Sequence, residues 1–224
     1  MISRLRGAST PARGSMRARR RAASLSDGCG STHARVARQE WWLVLASAVV
    51  LALLSLASNV TTTSQLSGTA DGLLTARWTV SKVLNAGVVW AGLPVLAGWL
   101  VRRPVHAVLA GVASSITALV VHYGVGRAVD VFASTIWAEN ASWFLIATLA
   151  GAPLGVVGAL ARRRRSPWGL LARLTVPTGA LIEPFVLGMF TAPDRLPWPD
   201  QVSGVLSELV LVTAGAAGVV AVVI

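Results

Sequence analysis

The sequence predicts an all-α fold, an integral membrane bundle of about six transmembrane helices with both termini cytoplasmic. Three observations carry that prediction. Hydrophobic residues make up 54% of the 224-residue chain and charged residues only 13%, against about 25% charged in soluble domains. Apolar runs close to the ~20 residues that a spanning helix needs recur along the chain. The basic residues gather between alternate pairs of those runs.

Residues 1–40 come first and hold nine arginines, among them the run Arg19-Arg20-Arg21. They have no apolar face with which to fold, so they are expected to form a disordered Arg-rich cytoplasmic tail. Nothing apolar precedes Trp41, which argues against a secretory signal. Met16 stands as an alternative start to Met1. The net charge of +11 comes from nineteen Arg and one Lys. The partners expected for it are the lipid bilayer and anionic headgroups at the tail and loops, in preference to nucleic acid. The Arg, Ala and Gly bias suggests a high-GC bacterial genome, hence a bacterial inner-membrane location.

Six spans are expected, at about 41–60, 80–101, 105–126, 143–161, 168–190 and 202–224. Trp41-Trp42 anchors the first at an interface, and Arg102-Arg103-Pro104 closes the second. Arg162 to Arg165 close the fourth. With the N-terminus inside, fifteen arginines lie on the inner side, with Arg173 near it as well. Arg77, Lys82, Arg127 and Arg195 lie outside. That asymmetry sets the N-in/C-in orientation. The first outer loop, 61–79, has a polar start, and its later part from Gly72 to Trp78 suits a short interfacial helix. The loop from Ala192 to Asp200 reads as a rigid proline-rich turn.

Small residues recur every four positions at Ala147, Gly151, Gly155 and Ala159, at Ala107, Gly111 and Ser115, and at Ala214 and Gly218. Such ridges permit close helix approach, read here as packing within the chain. The second and fourth spans also share a pattern, Ala91-Gly92-Leu93-Pro94 against Ala150-Gly151-Ala152-Pro153. It would fit a parallel duplication of a helix pair.

Chemistry is sparse. Cys29 is the only cysteine, which excludes an internal disulfide and a thiolate metal site. His33, His106 and His122 are far apart in sequence, and neither a metal nor a cofactor is expected. There is no His-Glu-x-x-His, no Gly-x-Ser-x-Gly and no Walker loop, so the chain does not read as an enzyme. What stands out is Glu183, an ionisable group between Pro177 and Pro184 inside an apolar run. At ~1.5 Å per residue it falls roughly 4–5 Å into the outer half of its span. Glu208 lies at a similar level, Asn85 and His122 further out, and Lys82 near the outer boundary. These five are the candidate polar pocket: Glu183, Glu208, Lys82, Asn85 and His122. Two readings of Glu183 stand side by side. In one it is an acid of an outward-facing pocket, with Lys82 or His122 as counter-charge. In the other it pins two helices together.

Several stretches carry a resemblance. They are Ala70-Asp71-Gly72, Leu84-Asn85-Ala86-Gly87 with Trp90-Ala91-Gly92, Gly98 through Pro104, Gly151 through Gly155, and Pro177 through Ala180 with Glu183. Over about residues 60–190 the chain resembles an uncharacterised family of short multi-pass actinobacterial membrane proteins, assigned to a domain of unknown function. The resemblance implies a six-helix-type membrane protein and no particular activity. Two functions are therefore expected in competition. One is a small transporter or channel-like protein taking a small solute or ion near Glu183. The other is a non-catalytic membrane scaffold or assembly partner.

Overall fold

The computed structural model describes residues 38–101, 103–188 and 196–224. The expected disordered tail up to residue 37, both candidate starts, Cys29, His33, Arg102 and the first part of the proline-rich turn lie outside the described residues. Every regular element described is helical. α1 is Arg38–Asn59. The others are α2 Thr63–Leu66, α3 Asp71–Leu84, α4 Gly87–Leu100, α5 Pro104–Ala128, α6 Ile136–Glu139, α7 Ala141–Ala161, α8 Pro167–Val186 and α9 Trp198–Val223.

Proline sets several starts. Pro104 and Pro167 begin α5 and α8, and Pro199 lies in the first turn of α9. There a missing N–H costs no hydrogen bond, and the fixed φ already suits a helix. α1, α5, α7 and α9 are long and apolar enough to cross a membrane. α3 and α4 reach that standard only together, as a pair bent by 47° at Asn85–Ala86, so the count is four, or five where the pair is taken as one span. α8 is 20 residues long, but it carries Arg173 and Glu183 and falls short of the same apolarity.

The distribution of polarity fits a membrane location. Leu145, Leu149, Val105, Trp168 and Phe185 are all more than half exposed, while Ser55, Ser114, Ser203, Ser207 and Glu208 are fully buried. In water such continuous exposed apolar surface would drive association; against hydrocarbon it is the expected exterior.

The core is assembled from small side chains. Val44, Ala48 and Ala52 of α1 lie four apart on one buried face. Val44 meets Ala97, Val101 and Ala110, and Ala48 and Ala52 meet Leu93 and Ala118. α7 packs on both α4 and α5. A Cβ at Gly98 would overlap the Gly155 carbonyl, one at Gly155 the Ala107 carbonyl, and one at Gly158 the Val95 carbonyl. The helices meet backbone to backbone, as the ridges through Gly151 and Gly155 and through Ala107 and Gly111 predict. On α9 the expectation holds at Gly218, whose Cβ would stand 3.0 Å from the Pro177 ring, and not at Ala214, which is exposed. A closer approach is at Gly215, whose Cβ would stand 2.7 Å from the Pro177 carbonyl oxygen.

The largest departure is in the second expected span. The sequence predicts one continuous helix over 80–101 after a long loop. Instead a helix begins at Asp71, ends at Leu84 and resumes at Gly87, so the later part of the expected loop, including the stretch from Gly72 to Trp78 read as helical, is continuous with the start of the expected span in α3. The interruption falls at Asn85–Ala86, while α8 runs unbroken through Pro177 and Pro184.

Candidate functional site at the broken helix

A helix break inside apolar surroundings must find partners for the free carbonyls of one segment and the free N–H groups of the next. Here two side chains do so, Trp90 and Glu183. Asn85 donates from Nδ2 to the Ser81 carbonyl at 2.8 Å, a second bond to an oxygen that already accepts the Asn85 N–H. Trp90 donates from Nε1 to the Leu84 carbonyl at 3.0 Å. On the other side of the break, Glu183 takes both opening N–H groups of α4. Gly87 N donates to its Oε1 and Val88 N to its Oε2, each at 2.6 Å. A carboxylate is well suited there, because it accepts two hydrogen bonds and meets the positive end of the helix dipole. Gly87 leaves room for it: a Cβ at that position would stand 3.2 Å from Glu183 Oε1.

Asn85 also accepts at Oδ1 from Ser55 Oγ at 2.7 Å. Ser81 Oγ donates to Asn59 Oδ1 at 2.6 Å, which ties α1 to α3. Lys82, one turn before the break, donates to Asp200 at both its Oδ1 and its backbone carbonyl, each at 2.9 Å. The pair is partly exposed and fastens α3 to the first turn of α9.

Glu208 is different. It is the largest fully buried side chain, and neither carboxylate oxygen has a hydrogen-bond partner among the described residues. The hydroxyls nearest in sequence are committed elsewhere. Ser203 Oγ donates to the Asp200 carbonyl and Ser207 Oγ to the Gly204 carbonyl. Lys82 is near enough to act on Glu208 electrostatically. It also borders the same face of α9, since a Cβ at Gly204 would stand 3.6 Å from Lys82 Nζ. One turn further along α9, Leu211 packs with Ala86, Val88 and Ala180. The segments that position Glu208 are thus those that meet at the break.

Of the five candidate residues, four belong to this region. Lys82 and Asn85 lie on the α3 side, Glu183 closes the α4 side, and Glu208 faces them from α9. The expected pairing of Glu183 with Lys82 or His122 is replaced by backbone N–H groups. Lys82 takes Asp200, which the sequence reading treated as part of a turn. Asp200 carries one signal that points to it: it lies in the opening turn of a helix, where an acid is favoured. His122 stands apart, buried in an aromatic cluster with Trp90, Tyr123 and Phe132 at ring separations of 5.3–5.8 Å. Its Nδ1 lies 3.4 Å from the Ala52 carbonyl. Trp90, which shares that cluster and caps α3, links it to the break. Among the described residues no group of three or more His, Cys, Asp or Glu is placed to hold a metal ion.

The layer has a definite place along the bundle. α4 begins at the break and ends at Val101 beside Trp41 of α1, so about 21 Å of helix separates the layer from the opposite end. At that opposite end Arg162 donates from Nη1 to the carbonyls of Trp99 and Leu100. No family model, curated protein or solved structure matches the chain.

Proposed function

We propose that the chain is a small multi-pass transporter or channel-like protein of the bacterial inner membrane, and that Glu208, beside the broken helix, is the group that exchanges its bound ion. One observation carries this reading: a fully buried carboxylate whose two oxygens have no hydrogen-bond partner among the described residues, with Lys82 near enough to act on it electrostatically. Leaving a carboxylate so costs several kcal/mol. A lone acid supplies one charge and two oxygens, which suits a proton or a monovalent cation. Interrupted helices beside a buried acid are also a recurrent way of building ion sites in membranes.

Six spans with both termini in the cytoplasm fit this reading. α8 would complete the set, since it packs between α7 and α9 and the charge of Glu183 is met by two hydrogen bonds. The end of the bundle at Arg103 and Arg162–Arg165 would face the cytoplasm, in keeping with the positive-inside bias. A reporter fused after Ile224 is then expected on the cytoplasmic side, and its detection outside the cell would overturn the topology. The resemblance to short actinobacterial membrane proteins implies a six-helix type and adds no activity.

Flux of protons and potassium into liposomes carrying the full chain, followed with an entrapped dye, tests the function. The parent is expected to conduct above empty liposomes, and Glu208→Gln to abolish that flux. Glu208→Leu is expected to abolish it as well, while raising stability by about 1 kcal/mol because an unpartnered buried acid is removed. Equal flux from the parent and Glu208→Gln would reject the assignment. A second reading, a non-catalytic scaffold, is favoured by the cap itself, since Glu183 is spent on the α4 backbone. A parent chain that conducts neither ion would favour that reading.

A further inference from the structure

At the end of the bundle remote from the break, a cavity of about 290 Å³ opens where α4 ends, α5 begins and α7 ends. Val101, Pro104, Val156 and Leu160 form an apolar wall, and Arg162 and Arg163 stand at its polar edge. No acidic residue among those described lines it. The volume is near the lower end of the ~300–1,000 Å³ usual for ligand pockets, room for part of a molecule whose remainder lies outside. That outside is apolar, since Trp99 and Val105 beside the cavity are exposed.

The two arginines are in different states. Arg162 is fixed: its Nη1 caps the end of α4 at the Trp99 carbonyl, at 2.7 Å. Its guanidinium also lies 5.6 Å from the centre of the Trp99 ring. Its other nitrogens remain available as donors. Arg163 is exposed, and its guanidinium has no hydrogen bond or ion pair among the described residues. One guanidinium is thus held in place at the cavity edge and a second is free beside it. This pairing suits a phosphate, which takes several donors at once.

We infer that this cleft is a binding site for one anionic phospholipid, with its phosphate on Arg162 and Arg163 and the start of an acyl chain against Val101, Val156 and Leu160. A soluble anion would make no use of the apolar wall. A zwitterionic lipid would bring a cationic group to an edge that is already positive. The site differs from general attraction to a basic surface, because charge and apolar cavity coincide at Arg163 and do not at Arg164. It requires neither the ion-exchange role of Glu208 nor a particular orientation in the membrane.

Native mass spectrometry of the full chain in detergent, with thermal melting alongside, tests the inference using added phosphatidylglycerol, phosphatidylcholine or inorganic phosphate. Phosphatidylglycerol is expected to remain bound and to raise Tm, and the other two are not. Arg163→Ala is expected to weaken its retention about fivefold, the effect of one basic residue near an anionic headgroup. Arg164→Ala, the neighbour outside the lining, is expected to change it much less. Ala159→Phe, which fills the cavity and leaves both arginines, is expected to displace the lipid. Arg163 is the variant of choice because Arg162 also caps α4. Equal losses from Arg163→Ala and Arg164→Ala would show diffuse attraction and overturn the site. Stabilisation by inorganic phosphate equal to that by phosphatidylglycerol would overturn the lipid assignment, and so would full retention by Ala159→Phe.

Discussion

Replacing Glu183 with alanine is expected to lower the unfolding free energy of the full chain by about 3 kcal/mol, read from an SDS titration in mixed micelles. The magnitude follows from the two short bonds at the head of α4. Each is charge-assisted, a class that contributes about 1.5–3 kcal/mol. Their sum is discounted here because Glu183 is only half-buried. Glutamine is no substitute, since it keeps one acceptor oxygen and turns an NH2 toward a backbone N–H. Glu183→Gln is therefore expected to recover little of the loss. Had Glu183 been a free pocket acid, both variants would leave stability almost unchanged, so the same titration separates the two readings.

The second large effect belongs to the glycines between α4 and α7. Gly98→Ala places a methyl group on the Gly155 carbonyl, and Gly158→Ala places one on the Val95 carbonyl. Neither obstacle is a flexible side chain that can turn aside. The helices must separate along their whole contact, and overpacking of this kind costs about 3 kcal/mol or more. Gly155→Ala would meet the Ala107 carbonyl on α5. Once Gly98→Ala has parted α4 from α7, the cost of the double variant with Gly155→Ala should fall short of the sum of the two single costs, because both depend on the position of α7. Additive losses in the double variant would mean that α7 meets its two neighbours independently. In contrast, Gly72→Ala on α3, where a Cβ would meet nothing within 4 Å, is expected to be harmless.

Much of this was legible in the sequence. The apolar runs leading to α1, α5, α7 and α9 are long and uninterrupted, so an average over ~20 residues locates them well. The glycine spacing on α7 was legible for the same reason, as a pattern carried by one helix face. The break at Asn85 was hidden by that averaging: two non-helical residues among valines and leucines barely lower a mean. Its partners were hidden more deeply. Glu183 advertises a need for donors, but those it finds are backbone N–H groups, which every residue but proline possesses and no side chain announces. Asp200 lies 118 positions from Lys82, and only the fold brings the two together. Glu208 was visible as a carboxylate in an apolar run. Its lack of a partner was not, because that depends on Ser203 and Ser207 bonding within their own helix.

The cap on α4 also has a consequence in time. Gly87 and Val88 precede the carboxylate that receives them by 96 and 95 positions. A ribosome adding ~5–20 residues per second reaches Glu183 roughly 5–20 s after it has made the head of α4. Throughout that interval two N–H groups must be served by water or by the insertion machinery, so α4 cannot reach its final environment when it is made. The first half of the chain is in this sense written early and sealed late. A nascent chain arrested before Ala180 is expected to keep the head of α4 open to a water-borne label, and one arrested well beyond Val186 to close it.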